Sequence, residues 1–265
     1  MQKYSTARIA DSDITAINFR DTVSSIENII LNRQREYICV CNTHSVVMAG
    51  NDATFQKALD HAAICTPDGM PIVWALKLYG YSDQDRVDGP NLTLKLCELS
   101  MRKKYRLFLY GGKEDTLMRL RAKLEVIYPG ITISGSYSPP FRKLTELEDS
   151  EVVNLINSSQ ADIVFVSLGC PKQELWMYEH RDQINGVMIG VGAAFDYIVG
   201  NIKRPPLLFQ RLGLEWLFRL LSEPRRLWAR YAYNNPVYIY RFIKSYKRNK
   251  KYTLDQRESL NRGSF

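Results

Sequence analysis

The chain alternates short, strongly apolar runs with longer stretches of helical character over its first 200 residues. Several of the apolar runs contain hardly any polar residue, which is typical of strands buried on both faces of a parallel sheet. A helical pattern over 114–127 ends at Tyr128-Pro129-Gly130, a common helix stop. Strands that alternate with helices predict an α/β fold with a Rossmann-like parallel sheet flanked by helices. The clearest strand candidates are Tyr37–Cys41, Arg106–Tyr110, Ile163–Leu168 and Val187–Val191.

Basic charge is concentrated at the end of the chain. Residues 201–265 contain 15 of the 36 Lys and Arg residues but 4 of the 28 Asp and Glu residues, so this segment carries +11 and residues 1–200 carry −3. We therefore predict an α/β domain over 1–200 and a basic helical C-terminal appendage over 201–265. Such an appendage indicates an anionic partner, which is a membrane surface, a phosphate-bearing ligand or nucleic acid.

Apolar and aromatic residues interleave with the arginines of this appendage. Over 207–221 they recur every three or four positions, so this stretch is an amphipathic helix that either lies in a membrane interface or packs on the α/β domain. For 228–252 we favour the membrane, and we expect Pro224 and Pro236 to interrupt the helices. No recognised RNA-binding motif is present, so nucleic acid is not an expected partner. The predicted interfacial aromatic residues are Trp228, Tyr231, Tyr233, Tyr238, Tyr240 and Phe242.

Metal sites, disulfides and membrane spans find little support in the sequence. The five cysteines form no C-x-x-C pair and read as core residues in a reducing cytoplasm, and the three histidines lack zinc-site spacing. The strings Asp11-Ser12-Asp13 and Asp83-Gln84-Asp85 fit solvated loops better than a divalent-ion site. No secretory signal and no uncharged apolar run of about 18 residues is visible.

Five polar or glycine-containing clusters follow directly on predicted strands. The carboxyl ends of parallel strands share one edge of the sheet, where ligands bind in this fold class, so we expect the clusters to converge. In one of them, Thr66-Pro67-Asp68-Gly69, a lone carboxylate stands between a proline and a glycine. Turn chemistry alone explains such a cluster, whereas convergence with the others favours a functional Asp68. The other clusters are Asn42–Ser45, Gly111–Glu114, Gly169–Glu174 and Gly192–Asp196.

The Gly111-Gly112 pair indicates a phosphate-binding turn. Glycines between a strand and a helix let backbone N–H groups approach a phosphate at the helix N-terminus. No G-x-G-x-x-G or G-K-[ST] pattern is present, which disfavours dinucleotide and P-loop sites. A nucleotide site of another kind stays open, and no cofactor is predicted.

Six segments in collinear order between residues 35 and 230 form one set. They are TPDG at 66–69, DRVDGP at 85–90, GSYSPPF at 135–141, LGCPKQE at 168–174, GVGAAFD at 190–196, and KRP at 203–205 running on to GLEWLFRLLSEPRR at 213–226. Together they resemble the WecG/TagA/CpsF family of bacterial inverting glycosyltransferases. The resemblance is specific for the family and weaker for the sugar, because members differ in the sugar that they transfer.

The resemblance implies an enzyme acting at a membrane. Such an enzyme moves a hexose or N-acetylhexosamine, of the N-acetylmannosamine or glucose type, from a UDP-sugar donor to a polyprenyl-diphosphate-linked sugar in cell-surface polysaccharide synthesis. It is metal-independent and lies peripherally on the cytoplasmic face of the plasma membrane, where its basic appendage contacts the anionic surface. The alternative is a non-catalytic, membrane-associated protein that binds nucleotide sugars. Assembly as a homo-oligomer stays open.

The resemblance also implies roles for individual residues. Asp68 would be the general base that takes the proton of the acceptor hydroxyl, with Thr43 orienting the sugar and Gln173 completing the catalytic set. Guanidinium groups would neutralise the diphosphate where no metal does so, and the candidates are Arg219, Arg225 and Arg226.

The substrate- and nucleotide-binding candidates include two departures from the family pattern. Ser45 stands where the family often has Asn, and Asn91 stands where it often has an acidic residue. Both leave the sugar specificity open, though not the reaction class. The other candidates of this kind are Arg86, Gly111, Gly112, Tyr137 and Asp196, the last of which would contact the nucleoside.

Overall fold

A parallel sheet forms the centre of the molecule. A computed structural model describes residues 4–262, without the side chains of Leu207, Arg211 and 249–262. Its strands are β1 (Thr6–Ile9), β2 (Ser12–Thr15), β3 (Tyr37–Cys41), β4 (Ile64–Pro67), β5 (Arg106–Gly111), β6 (Thr132–Tyr137), β7 (Ile163–Ser167) and β8 (Val187–Gly190). Among the described residues, the last six of these strands pair in parallel in the order β4-β3-β8-β7-β5-β6. The predicted fold class is confirmed.

Helices cover both faces of this sheet. They are α1 (Phe19–Leu31), α2 (Thr43–Ala49), α3 (Ala53–Asp60), α4 (Met70–Leu78), α5 (Gly89–Lys103), α6 (Glu114–Ile127), α7 (Glu146–Ser158), α8 (Lys172–His180), α9 (Ala194–Val199), α10 (Leu207–Arg211), α11 (Glu215–Ser222) and α12 (Pro224–Arg262). One apolar core lies between the sheet and α1, α5, α6 and α9. A second core lies on the opposite face, under the β1–β2 hairpin, α2, α3, α7 and α8. The sheet is therefore buried on both sides, as its continuously apolar strands require.

The strand predictions agree closely with the structure. The four clearest candidates match β3, β5, β7 and β8 to within one residue. The edge strand β6 was not predicted, because most of its residues are partly exposed and its sequence contains no continuous apolar run.

The N-terminal hairpin was not predicted either. Strands β1 and β2 pair in an antiparallel manner, and the side chains of Ile9 and Ile14 are fully buried. Asp11 lies in the turn between them and pairs with Arg241 at 3.1 Å. The interpretation of Asp11-Ser12-Asp13 as a solvated loop is therefore wrong, because Ser12 and Asp13 belong to β2.

The basic C-terminal segment packs on the body along one face of α12. A stripe of this helix is buried against α2, α4 and the hairpin, and it consists of Leu227, Asn234, Tyr238 and Ser245. The Tyr238 hydroxyl donates to the carbonyl of Pro71 over 2.9 Å. Pro236 lies inside α12 and does not interrupt it, contrary to the prediction. A proline removes one backbone hydrogen bond, and the packed stripe on either side of it holds the helix together.

The predicted aromatic belt is wrong in part. Tyr238 is buried and is not available to a membrane, and Phe242 is partly buried against the core. Trp228, Tyr233 and Tyr240 are 67%, 54% and 67% exposed on the other side of α12. Within residues 4–262, none of the helices has both the length and the apolar character needed to cross a membrane. The boundary at residue 200 follows the end of α9 and stays a prediction, and residues 263–265 lie outside the described residues.

Candidate active site

The polar clusters lie along the carboxyl edge of the sheet, at the ends of β3, β4, β5, β7 and β8. From β5 the chain passes outward to β6, whereas from β7 it passes the other way to β8, so the gap between β5 and β7 is the switch point of the sheet. Gly111 lies at this gap with a φ of +107°. A Cβ there would lie 2.5 Å from the carbonyl oxygen of Ser167. Glycine therefore allows the close approach of the two strand ends.

Asp68 lies between the end of β4 and the start of α4. Its backbone N–H donates to the carbonyl of Cys41 at the end of β3 over 2.7 Å, and Gly69 has a φ of +93°. The Asp68 carboxylate makes no hydrogen bond to its own turn among the described residues. Instead, its Oδ1 accepts a hydrogen bond from Nε of Arg86 over 2.9 Å. Turn geometry thus explains the glycine, but it does not explain the carboxylate.

The environment of Asp68 makes it a stronger base than a surface aspartate. Burial raises the pKa of Asp68 from 3.8 to about 6, although the Arg86 guanidinium acts in the opposite direction. Arg86 also donates from Nη1 to Oε2 of Glu215 at the start of α11. Burial opposes the charge of Arg86, but the two carboxylates hold its pKa above the ordinary value. The Arg86 guanidinium therefore binds both Asp68 and Glu215. With a pKa of about 6, Asp68 is mostly ionised at neutral pH.

A second ion pair lies beside this one. Asp88 caps the N-terminus of α5, and it accepts hydrogen bonds from the backbone and side chain of Asn91 over 3.1 and 2.7 Å. Arg204 donates to Asp88 and to Asn91, both over 3.0 Å. The predicted Asn91 is thus held in a network with the C-terminal segment. Sequence reasoning gave no role to Arg204 or Glu215, although both lie in segments that carry the family resemblance.

Thr43 is the first residue of α2, directly after the N-cap Asn42. Ser45 is buried, and its hydroxyl donates to the Asn42 carbonyl and accepts from the Asn42 N–H, both over 2.8 Å. Ser45 therefore supports the turn that carries Thr43. Next to it, burial lowers the pKa of His44 to about 4, and Nδ1 of this neutral imidazole lies 3.0 Å from the side-chain nitrogen of Asn234.

Gln173 joins two loops of the carboxyl edge. It is buried in the first turn of α8, and its Oε1 accepts from the backbone N–H of Gly192 over 3.0 Å. Its Nε2 donates to Oε1 of Glu174 over 2.9 Å. Glu174 is itself 1% exposed, and burial raises its pKa to about 7. Gln173 thus holds the loops after β7 and β8 in a fixed relation.

The three remaining nucleotide-site candidates lie around the switch point. Gly112 has a φ of +78°, and its carbonyl accepts from the hydroxyl of Ser138 over 2.7 Å, one residue after Tyr137 at the end of β6. A Cβ at Gly112 would lie 3.7 Å from the ring of Phe195, the residue before Asp196. Asp196 lies in the first turn of α9 and accepts from the side chain of Asn201 over 2.9 Å. The structure therefore brings the ends of β5, β6 and β8 together.

The predicted arginines differ in their surroundings. The guanidinium of Arg219 lies 5.8 Å from the ring of Tyr197, within electrostatic reach of the Asp68 site. Nε of Arg219 and the hydroxyl of Tyr197 are buried, yet neither has a hydrogen-bond partner in the described part of the chain. Arg226 pairs with Glu223 at 2.6 Å, and Arg225 is exposed. These two polar atoms are suited to binding a polar ligand or water. Tyr197 was missed from the sequence.

Two clefts flank this edge. An open cleft of about 510 Å³ has Arg86 and Asn91 in its wall, and a groove of about 370 Å³ lies between α2 and α12 beside His44 and Arg230. Over the described ranges, no three His, Cys, Asp or Glu side chains are grouped so that they could hold a metal ion. Metal independence itself stays a prediction.

Fold and candidate site together define a class: α/β proteins with a Rossmann-like sheet whose polar loops converge at its carboxyl edge, here beside a largely buried carboxylate and side chains of the C-terminal segment. The sequence model of the Glycosyl transferase WecG/TagA/CpsF family matches residues 7–252. The chain belongs to this family, so the predicted resemblance and the prediction of a transferase are confirmed.

Three relatives carry the same name, N-acetylglucosaminyldiphosphoundecaprenol N-acetyl-beta-D-mannosaminyltransferase. The protein from Bacillus spizizenii is 33% identical over 236 residues, which cover 88% of this chain and 87% of the relative. The protein from Bacillus subtilis is 33% identical, with 81% and 82% covered. The protein from Staphylococcus aureus is 26% identical, with 94% and 98% covered. The chain is thus similar to these enzymes over most of its length.

Proposed function

We propose that the chain is an inverting glycosyltransferase that moves an N-acetylmannosaminyl group from a UDP donor to N-acetylglucosamine on a polyprenyl diphosphate. The shared name of the three relatives states this sugar, this acceptor and a β linkage. It favours the N-acetylmannosamine type of donor over the glucose type. A β-linked product formed from an α-linked donor requires inversion, which one displacement with one general base can deliver.

The observation that carries the proposal is the carboxylate of Asp68. Its Oδ1 is held by Arg86, while no hydrogen bond reaches Oδ2 from the described residues. In the proposed step, Oδ2 takes the proton of the acceptor hydroxyl as the hydroxyl oxygen bonds to the anomeric carbon. The bond between that carbon and the diphosphate breaks, and its electron pair leaves with UDP. A pKa of about 6 lets Asp68 accept the proton and then release it to solvent at neutral pH.

The leaving diphosphate needs compensating positive charge. Arg219 is the leading candidate, because its Nε is buried without a partner in the described part of the chain. Arg225 and Arg226 follow at the start of α12 and add two further guanidinium groups, which match phosphate oxygens bidentately. This arrangement would stabilise the departing UDP without a metal ion.

The donor would lie across the switch point of the sheet. The backbone N–H groups at Gly111-Gly112, at the N-terminus of α6, are suited to a phosphate. Asp196 and Tyr137 then border the nucleoside. Thr43 and Asn91 would orient the sugars, while Gln173 keeps the loops after β7 and β8 in place.

The acceptor would reach the site from a membrane surface. We infer peripheral binding at the cytoplasmic face through the exposed side of α12, where Trp228 and Tyr240 are joined by basic residues. Each Lys or Arg near an anionic surface contributes roughly 1 kcal/mol. The groove between α2 and α12 would give the acceptor a path toward Thr43.

The test replaces Asp68 by Asn. Release of UDP from UDP-N-acetylmannosamine, with a short-chain lipid-diphosphate-N-acetylglucosamine acceptor, should fall by about 10²–10⁴-fold in kcat, with donor affinity nearly unchanged. Asp83→Asn, in the exposed loop after α4, is the matched control and should retain turnover. Near-wild-type turnover in Asp68→Asn would rule out the proposed base. Binding of UDP-sugar without turnover by the wild-type chain would favour a non-catalytic role.

A further inference from the structure

One guanidinium connects the proposed base to the C-terminal segment. Arg86 donates from Nε to Asp68 over 2.9 Å and from Nη1 to Glu215. The three side chains are 18%, 19% and 23% exposed, so this is a largely buried triad rather than a surface pair. Glu215 is 129 residues away from Arg86 in sequence and belongs to the first turn of α11. The triad is therefore complete only while α11 is docked on the sheet edge.

Tight backbone packing sets the position of α11. Gly213, two residues before Glu215, has a φ of +69°. A Cβ at Gly213 would lie 2.7 Å from the ring of Trp74 and 2.9 Å from Cβ of Met70. Both contacts belong to α4, the helix that begins two residues after Asp68. The same helix thus fixes the base at its start and receives the turn that carries Glu215.

The charges around Asp68 come from three sides. Arg86 and Asp88 precede α5, and Glu215 belongs to α11; these charged groups act on Asp68. Tyr197 on α9 lies within electrostatic reach of Asp68 and also of Arg219. Asp88 is already compensated by Arg204 at 3.0 Å. The charge of Arg86 is consequently divided between Asp68 and Glu215, and without Glu215 it would act on Asp68 alone.

We propose that Glu215 is a positioning residue for the transfer reaction, which holds the Arg86 guanidinium from the side opposite Asp68 and shares its charge, so that the base is fully active only when α11 is docked. This inference rests on the proposed role of Asp68. It makes closure of the C-terminal segment a condition for proton removal, in addition to any contact with the diphosphate.

Glu215→Gln tests the inference, because the amide keeps the shape of the side chain and an oxygen for Nη1 but loses the charge. The Glu215 charge raises the pKa of Asp68, so the variant should lower that pKa. The acid limb of the pH profile of kcat/KM should move to lower pH by the same amount. The plateau value of kcat/KM should fall several-fold, because Asp68 is then a weaker base. Glu125→Gln, on the exposed side of α6, is the control and should leave the limb in place.

A direct titration covers the case in which Glu215→Gln is too slow to assay. The carboxyl carbon of Asp68 is followed by ¹³C NMR in wild-type protein and in Glu215→Gln, and its signal is assigned by its loss in Asp68→Asn. A lower titration midpoint in Glu215→Gln supports the inference, and an unchanged midpoint overturns it. The roles proposed for Asp68 and Glu215 can be refuted separately. If Asp68→Asn is inactive but the Asp68 titration midpoint is unchanged in Glu215→Gln, only the positioning role of Glu215 is refuted. An active Asp68→Asn removes the proposed base and the positioning role together.

Discussion

Replacing Asp68 by Asn should stabilise the folded protein at neutral pH although it strongly reduces turnover. Folding raises the pKa of Asp68 from 3.8 to about 6, so the folded state binds this proton more tightly than the unfolded state does. The stabilisation from the protonated group is complete below pH 3.8 and is lost as the pH rises through 6. A shift of about two units means that ionised Asp68 destabilises the folded state by roughly 3 kcal/mol above pH 7.

Thermal unfolding of wild type and Asp68→Asn between pH 4 and pH 8 measures this effect. Asn is neutral at every pH, so the variant lacks the ionisation penalty, and its advantage over wild type should grow between pH 4 and pH 7. The expected growth is up to roughly 3 kcal/mol, or roughly 6–12 °C in the midpoint for a chain of this size. Asp83→Asn corrects for the general loss of one negative charge. A difference between Asp68→Asn and wild type that does not vary with pH would refute the raised pKa.

Two further perturbations test the membrane surface and the switch point. Trp228→Ser combined with Tyr240→Ser, both 67% exposed, should reduce sedimentation with anionic vesicles several-fold and leave the unfolding midpoint unchanged. Val126→Ser, which removes an apolar side chain that is 80% exposed on α6, is the control, and equal sedimentation of all three proteins would contradict a role for the exposed side of α12. Gly111→Ala should destabilise the protein by roughly 2 kcal/mol or more, because the new Cβ would meet a carbonyl at 2.5 Å. Gly112→Ala, which has room for a Cβ, should cost about 1 kcal/mol in denaturation measurements, and equal losses would argue against the close approach.

The sheet could be predicted because most of its buried strands have a distinctive amino-acid sequence. Burial on both faces forces continuous apolar runs, and such runs marked β3, β5, β7 and β8. The polar residues that follow these strands could be assigned to one edge, since parallel strands leave no other arrangement. The hairpin β1–β2 and the edge strand β6 were missed because their sequences mix polar and apolar residues and contain no continuous apolar run.

The rest of the candidate site depends on contacts between distant parts of the chain. Arg204 reaches Asp88 across 116 residues and Arg86 reaches Glu215 across 129. Secondary-structure propensities describe short stretches of sequence, so they cannot predict such pairs. These pairs depend on where the C-terminal segment docks. The same reason explains the error at Tyr238, whose helical spacing was correct but whose face of α12 could not be assigned before the packing was known.

The contact between the hairpin and α12 has a consequence for the order in which the protein can form. The hairpin is synthesised before α12, yet the Ala10 N–H donates to Ser245, 235 residues further on, and Asp11 pairs with Arg241. At about 5–20 residues per second, roughly 10–50 s pass before those partners are synthesised. During this interval the nascent chain holds a nearly finished sheet whose outer layer still lacks its last helix. The apolar surface over α2 and the hairpin then stays uncovered until α12 has been synthesised and can dock.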